Sequence, residues 1–282
     1  MLLIQFLNAL QFSMTLFLLA VGLTIIFGLM KIVNLAHGSL YMIGAYIGLS
    51  IWSYFDSFWL ALIFSPLITA LIGAFLYNIL FKHIQNADPM KQVLLTFGLI
   101  YIGLDSVRLI WGTMSHSISA PELLSKSIIL INDPYPSYRL FVIFVGIFVL
   151  FCLYFILEKT VIGAKVRASV DDPEAARLLK INTDKILFYT FSLGCGLAGL
   201  AGITVAPILG VEPGMDMEVL VLTLIVVVVG GPGSLKGAIV GALLIGFVDS
   251  FGKVYIPQLA QIIIYAVMAL TLLFRPDGLF KR

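Results

Sequence analysis

Long apolar runs constrain this chain more than any other feature of its sequence. A membrane-spanning helix needs roughly 20 apolar residues at about 1.5 Å each. The nine candidate spans are 6–30, 35–55, 58–81, 92–111, 138–157, 186–209, 218–230, 236–251 and 257–274. Composition agrees, because 61% of the 282 residues are hydrophobic and only 11% are charged, whereas soluble domains are about a quarter charged. The sequence therefore predicts an all-α integral membrane protein.

No hydrophilic stretch is long enough to form a separate soluble domain, so residues 1–282 are expected to form a single transmembrane domain. The net charge of +2 is too small to indicate nucleic acid binding. Cys152 and Cys195 lie in apolar runs without metal-ligand spacing. We therefore predict neither a metal site nor a cofactor.

Two apolar regions are interrupted by glycine and polar residues, and both interruptions contain Gly-Ser-Leu. Unwound backbone inside a bilayer is tolerated only where it is buried in protein or lines a water-filled cavity. Paired interruptions of this kind mark the binding site of many transporters. We predict 8–9 membrane elements, two of them broken or re-entrant, around a substrate pathway of Asn34, His37, Gly38, Ser39, Gly230, Gly231, Gly233 and Ser234. Close helix packing without solute contact is the alternative interpretation.

The distribution of charge predicts the orientation of the chain, because basic residues mark the cytoplasmic side. If the spans alternate in direction, twelve of the seventeen basic residues fall on one side. They are Lys31, Lys82, Lys91, Lys159, Lys165, Arg167, Arg177, Lys180, Lys185, Arg275, Lys281 and Arg282. Acidic residues dominate the opposite side: Asp56, Glu122, Asp133, Glu212, Asp216, Glu218 and Asp249. We therefore predict an N-terminus outside and a C-terminus inside.

Residues 158–185, called the docking segment below, hold eleven of the thirty-two acidic and basic residues. A short helix is predicted at 173–181, because Asp171 or Asp172 can cap its start and Pro173 suits its first position. Its apolar face comprises Ala175, Ala176, Leu178, Leu179 and Ile181. A soluble helix of this kind in a lipid-soluble chain indicates a cytoplasmic docking site for a motor protein.

Three motifs suggest an enzyme and are rejected. Residues 194–199 fit G-x-G-x-x-G but lie within an apolar span, so we expect them to form a packing face. Residues 252–254, Gly-Lys-Val, resemble the end of a P-loop but lack its Ser or Thr. Asp171 and Asp172 lack the second Asp-rich cluster of a metal-dependent prenyltransferase. The chain is therefore predicted not to be an enzyme and to have no ATPase site of its own.

Several motifs resemble the permease subunit of ABC importers for branched-chain amino acids, the LivH type. They are residues 22–28 with 34–38, 163–172, 181–184, 230–241 and 275–279. The resemblance runs essentially end to end. It implies a permease that translocates amino acids by alternating access in a prokaryotic inner membrane. The implied partners are a second related permease or a second copy, two cytoplasmic ABC ATPase subunits, an extracytoplasmic solute-binding protein and the lipid bilayer.

The resemblance also implies that the docking segment couples the permease to its ATPases. The residues implied in coupling are Arg167, Asp171, Asp172, Pro173, Glu174, Ala175, Arg177, Leu178 and Leu179. Leu178 and Leu179 would fill a groove on the ATPase, while the charged residues form the rim of the contact. Relatives often have Gly where this chain has Lys180, which leaves the turn at the end of the helix open.

The cargo is not decided by the sequence. A branched-chain or other zwitterionic amino acid is favoured, and an importer of urea or short amides is the second interpretation. A passive solute channel, which would need no motor protein, is the third interpretation. The sequence also does not decide whether the chain pairs with a second copy of itself or with a paralogue. It does not decide between eight and nine membrane elements.

Overall fold

The apolar segments are helices in the computed structural model, which describes residues 2–32, 34–85, 87–130 and 133–280. Lys281, Arg282 and the side chain of Asp171 lie outside the described part. The helices are α1 Leu2–Met30, α2 His37–Phe55, α3 Phe58–Leu76, α4 Lys82–Ile84, α5 Pro89–Trp111, α6 Ser137–Lys159, α7 Val161–Asp171, α8 Pro173–Leu178, α9 Thr183–Leu209, α10 Met215–Gly230, α11 Leu235–Tyr255 and α12 Ala260–Phe274. A π-helical turn, Tyr77–Phe81, joins α3 to α4.

Within the described residues, seven helices are long and apolar enough to cross a membrane. They are α1, α3 with α4, α5, α6, α9, α11, and α12 with the turn before it. This confirms the prediction of an all-α, multi-pass membrane protein. The two remaining predicted elements differ from these seven, because α10 has only 16 residues and α2 opens on the polar side chain of His37.

The centre of the bundle is formed by α1 and α9. The most apolar part of α1 is 78% buried and that of α9 is 61% buried, whereas that of α12 is 11% buried. Helices α3, α5, α6 and α12 present large apolar side chains such as Leu71 and Phe148 outwards. An extensive exposed apolar surface of this kind suits contact with lipid.

Residues 194–199 form a packing face, as the sequence predicts. A Cβ placed on Gly194 would lie 2.7 Å from Ile26 Cδ1, and one on Gly199 would lie 2.5 Å from Thr69 Oγ1. A Cβ on Gly44 of α2 would lie 2.3 Å from the Cα of Gly199. The missing side chains therefore let the backbones of α2 and α9 approach closely.

The loop between α5 and α6, called the outer loop because the charge pattern predicts it on the outer side, carries a small antiparallel hairpin of β1 Ser127–Leu130 and β2 Asp133–Pro136, with Ile128 opposite Tyr135. His116 exchanges two backbone hydrogen bonds of 2.8 Å with Val211. This bridge ties the outer loop to the segment that leads into α10.

Candidate functional site

Helix α2 begins inside the bundle. His37 Nε2 lies 3.2 Å from the carbonyl oxygen of Leu19, and the His37 ring also packs against Gly22. Leu19 lies eleven residues before Met30, where α1 ends, which is about 16 Å along the helix axis. Helix α2 therefore starts about halfway along α1, as expected for an interrupted membrane element.

Helix α10 begins beside the start of α2. A Cβ on Gly38 would lie 2.7 Å from the carbonyl oxygen of Asp216, and Ser39 Oγ donates a 2.9 Å hydrogen bond to Asp216 Oδ2. The Gly214 N–H donates to Met42 Sδ at 3.4 Å. No side chain caps the start of either helix, so both present the positive end of a helix dipole to the interior.

Asp216 is the candidate residue that sequence reasoning missed. Its place after an outer loop assigned it to the acidic outer side, yet the residue is only 1% exposed. It is buried because α10 starts beside the interior start of α2 rather than at the surface. One signal was available in the sequence, since an ionisable residue next to an apolar run of a membrane protein marks a functional position.

We call Asn34, His37, Gly38, Ser39 and Asp216 the interior junction. Asn34 and His37 are fully buried. Both polar atoms of the Asn34 side chain, His37 Nδ1 and Asp216 Oδ1 have no hydrogen-bond partner among the described residues. Because buried polar groups are nearly always satisfied by protein, water or ligand, the interior junction has hydrogen-bonding capacity to offer a solute.

The second interruption is a turn between α10 and α11. Gly231 and Gly233 have φ angles of 102° and 82°, a region that glycine adopts without a steric penalty. Ser234 Oγ accepts a 3.0 Å hydrogen bond from the Gly237 N–H and so caps α11.

The C-terminal tail covers this turn. The Leu279 N–H donates to the Val229 carbonyl at 2.9 Å, and the Phe280 N–H donates to the Gly230 carbonyl at 3.1 Å. These bonds satisfy carbonyl groups at the end of α10 that have no partner within the helix. The tail therefore fixes the connection between α10 and α11.

The two interruptions lie at opposite ends of α10. Asp216 is in its first turn and Gly230 is its last residue, which separates them by about 21 Å. The structure brings Gly38 and Ser39 against Asp216, while His37 packs on α1 and Asn34 bonds to the start of α2 through its carbonyl. It places Gly230, Gly231, Gly233 and Ser234 away from that junction. A single pathway lined by both sets would therefore run along α10.

The docking segment folds into the two helices α7 and α8. Asp172 Oδ1 accepts hydrogen bonds from the Glu174 and Ala175 N–H groups at 3.1 and 3.0 Å. Pro173 occupies the first turn of α8. The predicted start of the short helix is therefore confirmed, with Asp172 as its capping residue.

The predicted end of this helix at Ile181 was wrong, because α8 ends at Leu178 and the chain turns at Lys180. Lys180 has a φ of 59°, in the left-handed region that glycine favours. Its N–H donates to the Arg177 carbonyl at 2.9 Å, and the Ile181 N–H donates to the Ala176 carbonyl at 3.0 Å. A tight left-handed turn thus forms here with a lysine.

We expect Lys180→Gly to stabilise this turn by about 1 kcal/mol, because a non-glycine residue in the left-handed region is strained. Hydrogen exchange of the Ile181 amide should slow by about fivefold, which corresponds to that free energy. Lys180→Ala is the matched control and should not slow exchange, since alanine keeps the Cβ. Equal exchange rates in Lys180→Gly and wild type would contradict the prediction.

Both arginines predicted for the rim form bonds within the chain. Arg167 lies 3.6 Å from Glu158 and donates a hydrogen bond to the Leu157 carbonyl. Arg177 Nε donates to Thr183 Oγ1 at 3.0 Å. These contacts fasten α7 to the end of α6 and α8 to the start of α9.

The apolar face of the docking segment divides into a buried and an exposed part. Ala176 is buried, whereas Leu178 is 85% exposed and Leu179 is 74% exposed. Ala175 and Glu174 are exposed beside them. Two exposed leucines on a capped, charged helix form a surface suited to contact with another protein.

A cavity of about 290 Å³ lies between the docking segment and the second interruption. Glu158 and Arg167 line one part of it, and Gly233 and Ser234 line another. Residues predicted for ATPase coupling and residues predicted for the substrate pathway thus line the same cavity. Movement of the docking segment would change the surroundings of the second interruption.

Together, these features define a multi-pass α-helical membrane protein with a polar junction between helix starts and a separate docking segment. The family model described as "Branched-chain amino acid transport system / permease component" matches residues 5–272. This is nearly the whole chain, and the chain belongs to that family. The resemblance stated from the sequence motifs is therefore confirmed.

Three curated relatives cover almost the entire chain, and each is described as a branched-chain amino acid transport permease protein. BraD of Pseudomonas aeruginosa is 29% identical over 99% of this chain and 95% of its own length. LivH of Escherichia coli K12 is 25% identical over 99% of this chain and 95% of its own length. The probable LivH of Methanocaldococcus jannaschii is 26% identical over 96% of this chain and 90% of its own length. No solved structure matches the chain.

Proposed function

We propose that the chain is the membrane-spanning permease subunit of an ATP-binding-cassette importer for branched-chain or related amino acids. An extracytoplasmic solute-binding protein delivers the cargo, and separate ATPase subunits drive its translocation by alternating access. Membership of the branched-chain amino acid permease family supports this proposal, and so do the described functions of relatives that match 99% of this chain.

The proposed assembly contains this chain, a second permease or a second copy of this chain, and two cytoplasmic ATPases. The permease is a transport subunit rather than an enzyme, and its 282 residues act as a single membrane domain. It resides in a prokaryotic inner membrane with the N-terminus outside and the C-terminus inside. The excess of basic residues on the side of the docking segment supports this orientation.

The exposed pair Leu178 and Leu179 carries the proposal that an ATPase docks here. Arg167 binds the end of α6 and Arg177 binds the start of α9. A push on α8 is therefore transmitted to two long helices of the bundle. ATP-driven closure of the motor subunits would tilt these helices and change access to the interior junction.

The experiment is Leu179→Glu, studied in cells that express all subunits of the importer. A buried charge without a partner in the ATPase groove is costly, so we expect ATPase copurification and uptake to fall about tenfold or more, as in hot-spot substitutions. Leu123→Glu is the control, because Leu123 is 78% exposed in the outer loop. This control should leave ATPase copurification unchanged.

Retention of both ATPase association and uptake by Leu179→Glu would refute the docking role. The cargo has its own test, which is ligand binding by the solute-binding protein encoded beside this chain. Tight binding of leucine supports the proposed cargo. Binding of urea instead would replace the amino acid with the second interpretation.

A further inference from the structure

We infer that Asp216 binds the ammonium group of the amino acid as the cargo passes the interior junction. The inference rests on the proposed function and deepens it. It assigns one contact of the translocation pathway to a residue that the sequence motifs do not single out.

The carboxylate of Asp216 has one satisfied and one unsatisfied oxygen. Ser39 Oγ donates to Oδ2 at 2.9 Å, whereas Oδ1 is buried without a hydrogen-bond partner among the described residues. The residue is 1% exposed. An ionisable side chain within the membrane-spanning part of a protein is costly to keep and characteristically serves a pathway or a relay.

A second buried carboxylate among the described residues provides a comparison. Asp249 is 4% exposed, and Lys253 Nζ lies 2.7 Å from its Oδ2. Asp216 has no such cation within 4.0 Å among the described residues. The chain therefore neutralises one buried carboxylate internally and leaves the other available to a cation from outside.

The surroundings of Asp216 suit a zwitterion. Asp216 lies in the first turn of α10, where the helix dipole stabilises an anion. The start of α2 has no side-chain cap, so its N–H groups can bind the carboxylate of the cargo while Asp216 Oδ1 accepts from its ammonium. In this structure Gly38 packs directly against Asp216, so α2 and α10 must separate before cargo can enter.

The donor set favours an ammonium group over an inorganic cation. Calcium takes 6–8 oxygen ligands, and magnesium requires a near-ideal octahedral shell. Beside Asp216 the described residues offer one free carboxylate oxygen and the Ser39 hydroxyl. An ammonium group has three N–H donors and requires no fixed coordination shell, so this smaller set of acceptors suits it better.

The test is Asp216→Asn in the complete importer, reconstituted in liposomes with its binding protein and ATPases. Asparagine has the same shape and can still accept the hydrogen bond from Ser39, so a purely structural contact would survive. We expect leucine uptake to fall about ten- to hundredfold, because the ion pair with the ammonium is lost. Assembly and thermal stability should stay near wild type.

Asp249→Asn is the matched control, because it removes a buried carboxylate that Lys253 already neutralises. It should keep uptake within about twofold of wild type, since the exposed ammonium of Lys253 is released to solvent. Asp216→Glu keeps the charge and should retain more uptake than Asp216→Asn. These two variants separate the loss of charge at the junction from a general effect of altering a buried acid.

Uptake at the wild-type rate by Asp216→Asn would overturn the inference. A failure of both Asp216→Asn and Asp216→Glu to fold would also overturn it, because it would show that Asp216 has a structural role. A sodium requirement that disappears in Asp216→Asn would assign the site to an inorganic cation instead. If the wild-type importer does not transport leucine at all, the proposed function fails as well. If only the inference about Asp216 is wrong, the wild-type importer still transports leucine.

Discussion

Gly44→Leu is expected to yield no stable folded protein. The added Cβ would lie 2.3 Å from the Cα of Gly199, and a backbone atom of α9 cannot move aside as a flexible side chain can. Ser65 Oγ also donates a 2.6 Å hydrogen bond to the Gly44 carbonyl, which fixes α3 to the same place. Overpacking a core of this kind costs about 3 kcal/mol, a large part of the stability of a typical domain.

The measurement is the monodisperse fraction after extraction in detergent, together with its melting temperature. Gly98→Leu is the control, because a Cβ on this exposed glycine of α5 would meet no atom within 4 Å. The control should be extracted as well as wild type. A Gly44→Leu protein that melts at the wild-type temperature would contradict the close packing of α2 on α9.

Much of this packing could be predicted from the sequence. Apolar runs interrupted by small residues indicate helices whose backbones approach closely. The G-x-G-x-x-G match at 194–199 lies within such a run, without the strand that a nucleotide site requires. The apolar context and the missing strand together therefore distinguish packing glycines from phosphate-binding glycines.

The position of Asp216 could not be predicted in the same way. Periodicity and charge counting assign residues to sides of a membrane, but they do not measure how deeply a helix begins. Asp216 is buried because α10 starts beside Gly38 and Ser39. That contact joins residues 177 positions apart, and it is determined by tertiary packing rather than by local sequence.

The two Gly-Ser-Leu segments illustrate the same limit. Their local sequences agree, yet one begins a helix beside Leu19 inside the bundle and the other forms a turn beneath the C-terminal tail. The two segments fold differently because different parts of the chain pack against them, and those parts are distant in the sequence. Lys180 shows a different limit, because local backbone hydrogen bonds accompany a lysine in a conformation that the sequence alone would assign to glycine.

Gly163→Val is expected to uncouple the ATPases from transport while leaving the bundle folded. A Cβ on Gly163 would lie 2.0 Å from the Leu157 carbonyl oxygen, so a side chain at this position forces α7 away from the end of α6. Arg167 donates to the same carbonyl and would lose that contact. Because α8 follows α7 directly, the docking surface would be displaced together with it.

The expected loss of ATP-driven uptake is roughly ten- to hundredfold, within the range of typical coupling free energies. Uptake and ATP hydrolysis should be measured in reconstituted importers, with the melting temperature of the permease recorded in parallel. Ala164→Val is the matched control, because Ala164 is exposed on the same helix and the substitution adds a similar volume. Normal uptake in Gly163→Val would show that α7 does not transmit the movement of the motor. A collapsed melting temperature would instead place Gly163 in the folding core, since a corner that only transmits movement can be distorted without unfolding the helices it joins.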